Sequence, residues 1–151
     1  MKIFIVYCFK DKKSLLLVKE IISSLGHVPI VLDELLPTGT IFDKLMNASK
    51  QCNRAIVIYS GNDCGGPFKK EKNKIVLKRR ARENVVFELG LFIGQLTIKN
   101  VLILLNKNID RTTLPSDLSG IETKSLNVKK DTLKKNIKQF LERPFYEKDG
   151  M

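Results

Sequence analysis

Three short apolar runs constrain this chain most: KIFIVY from Lys2, RAIVIYS from Arg54 and NVLILLN from Asn100. Each is too short for a helix, the first is rich in β-branched residues, and a strand apolar at nearly every position must be covered on both faces. The segments between them change period. In DKKSLLLVKEIISSLG, Leu15, Val18, Ile22 and Leu25 fall at helical spacing, with Gly26 as a C-terminal stop. In TGTIFDKLMNASKQC, Ile41, Leu45 and Ala48 share one face, and Thr38 or Thr40 is placed to cap the N-terminus. Two weaker strands, VPIVLD and ETKSLNV, and a basic amphipathic helix from about Asp131 to Arg143 complete the pattern. Alternating strands and helices predict an α/β fold of three layers, with a five-stranded parallel sheet in the flavodoxin-like order 2-1-3-4-5 and helices on both faces.

A chain of 151 residues is enough for one domain with a real core. The pattern assigns residues 1–143 to that domain and 144–151 to a tail or the start of a linker. No apolar run approaches the ~20 residues of a membrane helix, and MKIFIVYCFK is too short for a signal peptide, so a cytoplasmic protein with no membrane partner is expected. Cys8, Cys52 and Cys64 form no C-x-x-C pair and are expected to be reduced thiols. His27 is the single histidine, which sets aside a histidine-based zinc site and a Ser-His-Asp triad; no metal is expected.

The net charge of +11 is concentrated in two places. Eight of the 27 Lys and Arg lie in KKEKNKIVLKRRAR, from Lys69 to Arg82, and six lie between Lys124 and Lys138. No aromatic residues are interleaved to stack on bases, so the pattern favours solvated, phosphate-attracting surface over sequence-specific nucleic-acid binding.

Sheets of this class bind ligands beyond the carboxyl ends of the strands. Three segments would form that rim: YCFKDKK, DELLPTGT and SGNDCGGP. The last is glycine-rich but lacks the spacing of a P-loop or a dinucleotide fingerprint. LPSDLSG reads as an ordered turn without reactive groups. Asp33 and Glu34 stand where ribose hydroxyls can be contacted. The helix in ENVVFELGLFIG starts at this rim and carries one discordant residue. At 100° per residue, Val85, Leu89, Phe92, Ile93 and Leu96 share a face, and Glu88 lies on its border with Asn84 one turn before it. Burying an ionised carboxylate costs several kcal/mol unless a partner or a purpose compensates. Spacing alone leaves two readings open: a structural pair with Arg79, Arg80 or Arg82, or a functional carboxylate.

KIFIVY, PIVLDE…GTIFDKL, AIVIYSGNDCGGP, RARENVVFELGLFIG and LPSDLSGI, in this order, resemble the bacterial TIR-like domain of predicted nucleotide-binding proteins and of TIR-STING effectors. The resemblance runs from Lys2 to about Leu126. It departs after the first strand, where this chain has YCFK and many relatives a polar His-Gly type sequence. It implies an NAD+ glycohydrolase of anti-phage defence that depletes NAD+, assembles through TIR self-association and is activated by a STING-like cyclic-dinucleotide sensor. NAD+ is then substrate, and no cofactor is required. By position, the catalytic glutamate of the family is Glu88; Arg82, Asn84 and Phe87 fall in the same motif, Thr40 in the loop after the second strand and Asp63 in the loop after the third. Phe9, Tyr7 and Phe87 are the aromatics that could stack on a nicotinamide or adenine ring. Nicotinamide leaves NAD+ as a neutral base, so the leaving group needs no general acid, and one carboxylate of the usual glycosidase pair suffices. Three alternatives stay open: a nucleoside deoxyribosyltransferase-like hydrolase, a non-catalytic TIR self-association module, and nucleic-acid binding by the basic loop.

Overall fold

The computed structural model describes residues 1–66, 68–69 and 74–147. Lys70 and Lys72 of the basic run and residues 148–151 of the tail lie outside them. In chain order the elements are β1 (Lys2–Val6), α1 (Lys12–Ser24), β2 (Val28–Ile30), α2 (Ile41–Gln51), β3 (Arg54–Tyr59), β4 (Asp63–Gly65), β5 (Phe68–Lys69), β6 (Lys74–Ile75), β7 (Lys78–Arg80), α3 (Glu83–Leu96), β8 (Val101–Leu105), β9 (Thr123–Ser125) and α4 (Lys130–Leu141).

The main sheet is parallel and ordered β2-β1-β3-β8-β9, the expected 2-1-3-4-5 arrangement. Every residue of β3 and β8 is buried, as their continuous apolar composition requires of central strands covered on both sides. The period of two then sorts side chains between two cores. Phe4 and Val6 of β1 and Val57 of β3 pack with Leu45 and Ala48 of α2 and with Val85, Leu89 and Phe92 of α3. Ile3, Ile5, Ile56 and Ile58 face the other way, onto Leu15, Val18 and Ile22 of α1 and Leu133, Ile137 and Phe140 of α4. Phe4 and Phe92 stack at 4.4 Å between ring centroids, which locks α3 to the centre of the sheet.

Several details depart from the expected pattern. Ile41 is 65% exposed, because α2 begins there and its first turn overhangs the sheet. Leu25 and Ile93 are only partly buried and pack at the margins of the two cores. The second strand ends at Ile30, since Leu32–Glu34 turn into a short 3-10 helix. The connection after β3 is not an irregular loop: β4 pairs antiparallel with β7, and β5 with β6. Of the two candidate caps, Thr40 serves. Its hydroxyl accepts from the Asp43 amide at 3.1 Å, while the Asp43 carboxylate accepts from the Thr40 amide at 2.8 Å. Gly26, with φ +80°, ends α1 as its position suggested.

Arg54 is the largest fully buried side chain among the described residues, and nothing in its surroundings in the sequence marks it. Its guanidinium donates to the carbonyls of Phe140 and Arg143 and lies 5.2 Å from the Phe140 ring centroid. A cation here satisfies orphan carbonyls at the C-terminal, negative end of α4. The chain beyond α4 folds back on the domain: Asn100 Nδ2 donates to Leu96 O at 2.7 Å and to Tyr146 O at 2.8 Å, and Arg143 is paired with Glu122. Cys8 and Cys52 are buried free thiols, and Cys64 is exposed. Among the described residues, no helix is long and apolar enough to cross a membrane.

Candidate active site

Glu88 is the sixth residue of α3. Val85, Leu89 and Phe92 press the helix onto the sheet, and a rotation of about 100° from Leu89 brings Glu88 to the edge of that apolar face. There it meets the segments that follow β1 and β2. Ile5, Tyr7, Phe9, Leu32, Asp33 and Glu88 line a cavity of about 130 Å³. Tyr7 follows the end of β1, and Asp33 sits in the 3-10 turn anchored by buried Val31. The Tyr7 hydroxyl donates to Asp33 Oδ2 at 2.5 Å. Burial, reinforced by that hydrogen bond and by the charge of Asp33, pushes the Tyr7 pKa up to about 12, so the phenol stays a donor at any physiological pH.

Burial pushes the Glu88 carboxyl up to about 7, and the neighbouring charge of Asp33 adds to it. The arginines that could have neutralised it are engaged elsewhere. Arg80 is paired with Glu83 at 3.1 Å, Arg79 donates to the Gly61 carbonyl at 3.5 Å, and the Arg82 guanidinium lies 5.0 Å from the Phe9 ring centroid. Among the described residues no ion pair or hydrogen bond joins Glu88 to a cation, so the structural-pair reading has no partner to support it. A desolvated carboxylate beside a second acid, open to a cavity, is an arrangement suited to stabilising a developing positive charge.

The other sequence-derived candidates distribute unevenly around this point. Phe9 and Asp33 share the cavity with Glu88, and Arg82 reaches it through the Phe9 ring. Phe87 turns to the other side of α3, where it lies 6.4 Å from Phe42 by ring centroids and lines a separate, larger cavity. Thr40 is occupied as the cap of α2, Asp63 is half-buried in β4 opposite Arg80, and Asn84 is exposed in the first turn of α3; none of the three lines the Glu88 cavity. Tyr7 was legible only as one of three aromatics near the rim. Its hydrogen bond to Asp33 spans 26 positions, and only the pairing of β1 with β2 brings the two together. The loops after β1 and β3 are also tied, by Asn62 Nδ2 donating to Asp11 Oδ2 at 2.7 Å.

The model of the TIR domain of CAP12/Pycsar effector proteins matches residues 2–128. Among curated proteins, the chain is 38% identical over 122 residues to the Escherichia coli (strain K12) protein YuaY, covering 80% of this chain and 38% of that one. It is 36% identical over 81 residues to the Pycsar effector protein BcPycTIR of Burkholderia cepacia, covering 54% of this chain and 24% of that one. The chain thus spans well under half the length of either relative. Its fold is similar to that of a prokaryotic SEFIR domain, with TM-score 0.59 and 12% identity over 94% of this chain and 99% of the other. It is also similar to that of the Clostridium botulinum CMP N-glycosidase BcmB, with TM-score 0.56 and 11% identity over 92% and 99%. Since the matched segment takes in the sheet through β9, α3 and every residue lining the Glu88 cavity, this chain belongs to the TIR-domain family of the CAP12/Pycsar effectors.

Proposed function

We propose that this domain is an NAD+ glycohydrolase that cleaves the bond between nicotinamide and ribose, with Glu88 as the catalytic carboxylate. The observation that carries the proposal is the unpaired, half-buried Glu88 carboxylate in a cavity it shares with Asp33, Tyr7 and Phe9. The cavity has room for about four waters, the space of one ring and not of a dinucleotide, so the reacting nicotinamide riboside end would enter and the remainder extend along the rim. There Asp33, held by Tyr7, accepts from ribose hydroxyls, Phe9 flanks the departing ring, and Glu88 stabilises the oxocarbenium-like transition state in low-dielectric surroundings. The leaving base is neutral, so no acid is required opposite Glu88.

In the cell this reaction makes the domain the toxic output of an anti-phage system that exhausts NAD+. A sensor of cyclic nucleotides, STING-like or of another class, would cluster the domains within a longer effector; the greater length of the curated relatives and the match to a cyclic-nucleotide effector family support this. Exposed Leu36, Phe42 and Phe87 offer apolar surface for self-association. The test is nicotinamide release by the chain and by Glu88→Gln, at several protein concentrations and with enforced clustering. Turnover of NAD+ that rises per molecule on clustering and vanishes with Glu88→Gln supports the reading. CMP and deoxynucleosides belong in the same assay, because the fold is shared with an enzyme named as a CMP N-glycosidase. Cleavage of those and not of NAD+ would replace the proposed substrate.

A further inference from the structure

A second cavity is larger than the one that holds Glu88. It measures about 790 Å³, within the range of small-molecule sites, and opens beyond the carboxyl ends of β3 and β8 on the other side of α3. Tyr59, Lys78, Arg80, Phe87, Thr112 and Thr113 supply its distinctive chemistry. It shares no lining residue with the Glu88 cavity, and its charge is of the opposite kind: two cations and one carboxylate, Glu83, against two carboxylates.

Three features mark it as built. Tyr59 is 1% exposed, yet it lines the cavity, and its hydroxyl has no hydrogen-bond partner among the described residues. The hydroxyl is not among the buried polar atoms left without a partner, so it reaches the cavity and is placed to donate into it, and burial of the residue keeps it protonated by raising its pKa. Arg80 lies flat across the hairpin because position 65 is glycine: a Cβ there would stand 2.8 Å from Arg80 Cδ and 3.1 Å from Nη1. The cations are lightly held. Among the described residues Arg80 is paired with Glu83, which is 84% exposed, and Lys78 Nζ donates to the Thr112 hydroxyl at 2.6 Å near the Asp110 carboxylate, so an incoming anion can draw on both cations.

We propose that this cavity binds a nucleotide: its phosphate against Lys78, Arg80 and the Tyr59 hydroxyl, and its base on the exposed Phe87 ring. Fixed donors around a phosphate, with an aromatic face beside it, select a phosphorylated aromatic compound over either phosphate or base alone. Two sources share this chemistry. One is the adenylate half of the same dinucleotide, whose cationic end suits the acidic cavity and whose anionic middle suits the basic one. The other is a separate nucleotide acting from its own site.

The probe is AMP, titrated calorimetrically into the chain, with adenosine and inorganic phosphate as controls and a melting curve for each variant. AMP should bind more tightly than either control and weaken with salt. Tyr59→Phe, which removes one oxygen, should weaken it by about fivefold, and Arg80→Gln by about tenfold or more. Absence of AMP binding at millimolar concentration, or equal binding by the folded double variant, would overturn the proposal. Turnover separates the sources. If AMP competes with NAD+, and Tyr59→Phe raises KM at constant kcat, the site holds the distal half of the substrate. If AMP binds with KM for NAD+ unchanged, it holds a second nucleotide. Because AMP binding is read without Glu88, a chain that cleaves no NAD+ would sink the proposed activity and leave this site testable.

Discussion

Asp33 and Glu88 enter one cavity from different elements, and the charge of Asp33 adds to the burial that raises the Glu88 pKa to about 7. The two acids lie 55 positions apart in sequence, so their coupling is a property of the fold alone. It makes the ionisation of Glu88 adjustable near neutral pH, which is the range in which the proposed reaction must run.

Glu88→Gln should abolish NAD+ cleavage, by about 100- to 1,000-fold for one electrostatic contact, without a loss of stability. A carboxyl with a folded pKa of about 7 and an ordinary value of 4.5 holds its proton more tightly in the folded state. Its contribution to stability is therefore complete below the ordinary value and is lost as pH rises from about 4.5 to about 7, on the order of 3 kcal/mol in all. The glutamine variant should lack that slope and be the more stable protein at pH 8. Melting temperatures of both proteins across pH 4 to 8 check this. A variant less stable than wild type at pH 8 would restore the structural-pair reading.

The rate of NAD+ cleavage should follow the ionisation of Glu88, rising with pH through about 7. Asp33→Asn removes a neighbouring negative charge and should move this limb to lower pH, as well as weakening ribose contact. Tyr7→Phe frees Asp33 from its hydrogen bond and should raise KM. Profiles of kcat and of KM against pH for the three proteins measure both effects.

Thr40→Ala should act on stability and not on chemistry. It removes a capping box and should cost about 1 kcal/mol, with turnover per folded molecule unchanged. Turnover per folded molecule that falls tenfold would instead give Thr40 a direct role with substrate.

Phe9 is 58% exposed, and its contact with Arg82 is a ring-to-guanidinium one. Phe9→Ala should therefore change stability by less than about 1 kcal/mol while raising KM for NAD+ several-fold. Denaturant melts beside Michaelis-Menten curves separate the two quantities.

Arg54→Met should destabilise the domain by roughly 2 kcal/mol or more, because the carbonyls of Phe140 and Arg143 would lose their donors in a buried place. Equilibrium unfolding reads it directly. Stability equal to wild type would mean that the buried cation costs as much as its hydrogen bonds return.

The sequence by itself determined the elements whose signals are local. Apolar runs with no polar phase specify strands covered on both faces, so β1, β3 and β8 and their place at the centre of the sheet were legible, as were the apolar faces of α1, α3 and α4. Glu88 was legible as an anomaly, since one carboxylate on the border of an apolar helical face is visible from a period of 3.6 residues. Tertiary structure alone decided what that anomaly meets. The withdrawal of Arg79, Arg80 and Arg82 to other partners, the approach of Asp33 and Tyr7, and the use of Thr40 as a cap depend on which loops the strand order brings together. The antiparallel pairing of β4 with β7, and the cavity it helps to enclose, were hidden because charged strands carry no burial pattern; cross-strand hydrogen bonds and glycines that admit close approach hold them instead. Burial and charge proximity are sums over neighbours in space, and a chain read in order lists neighbours only along itself.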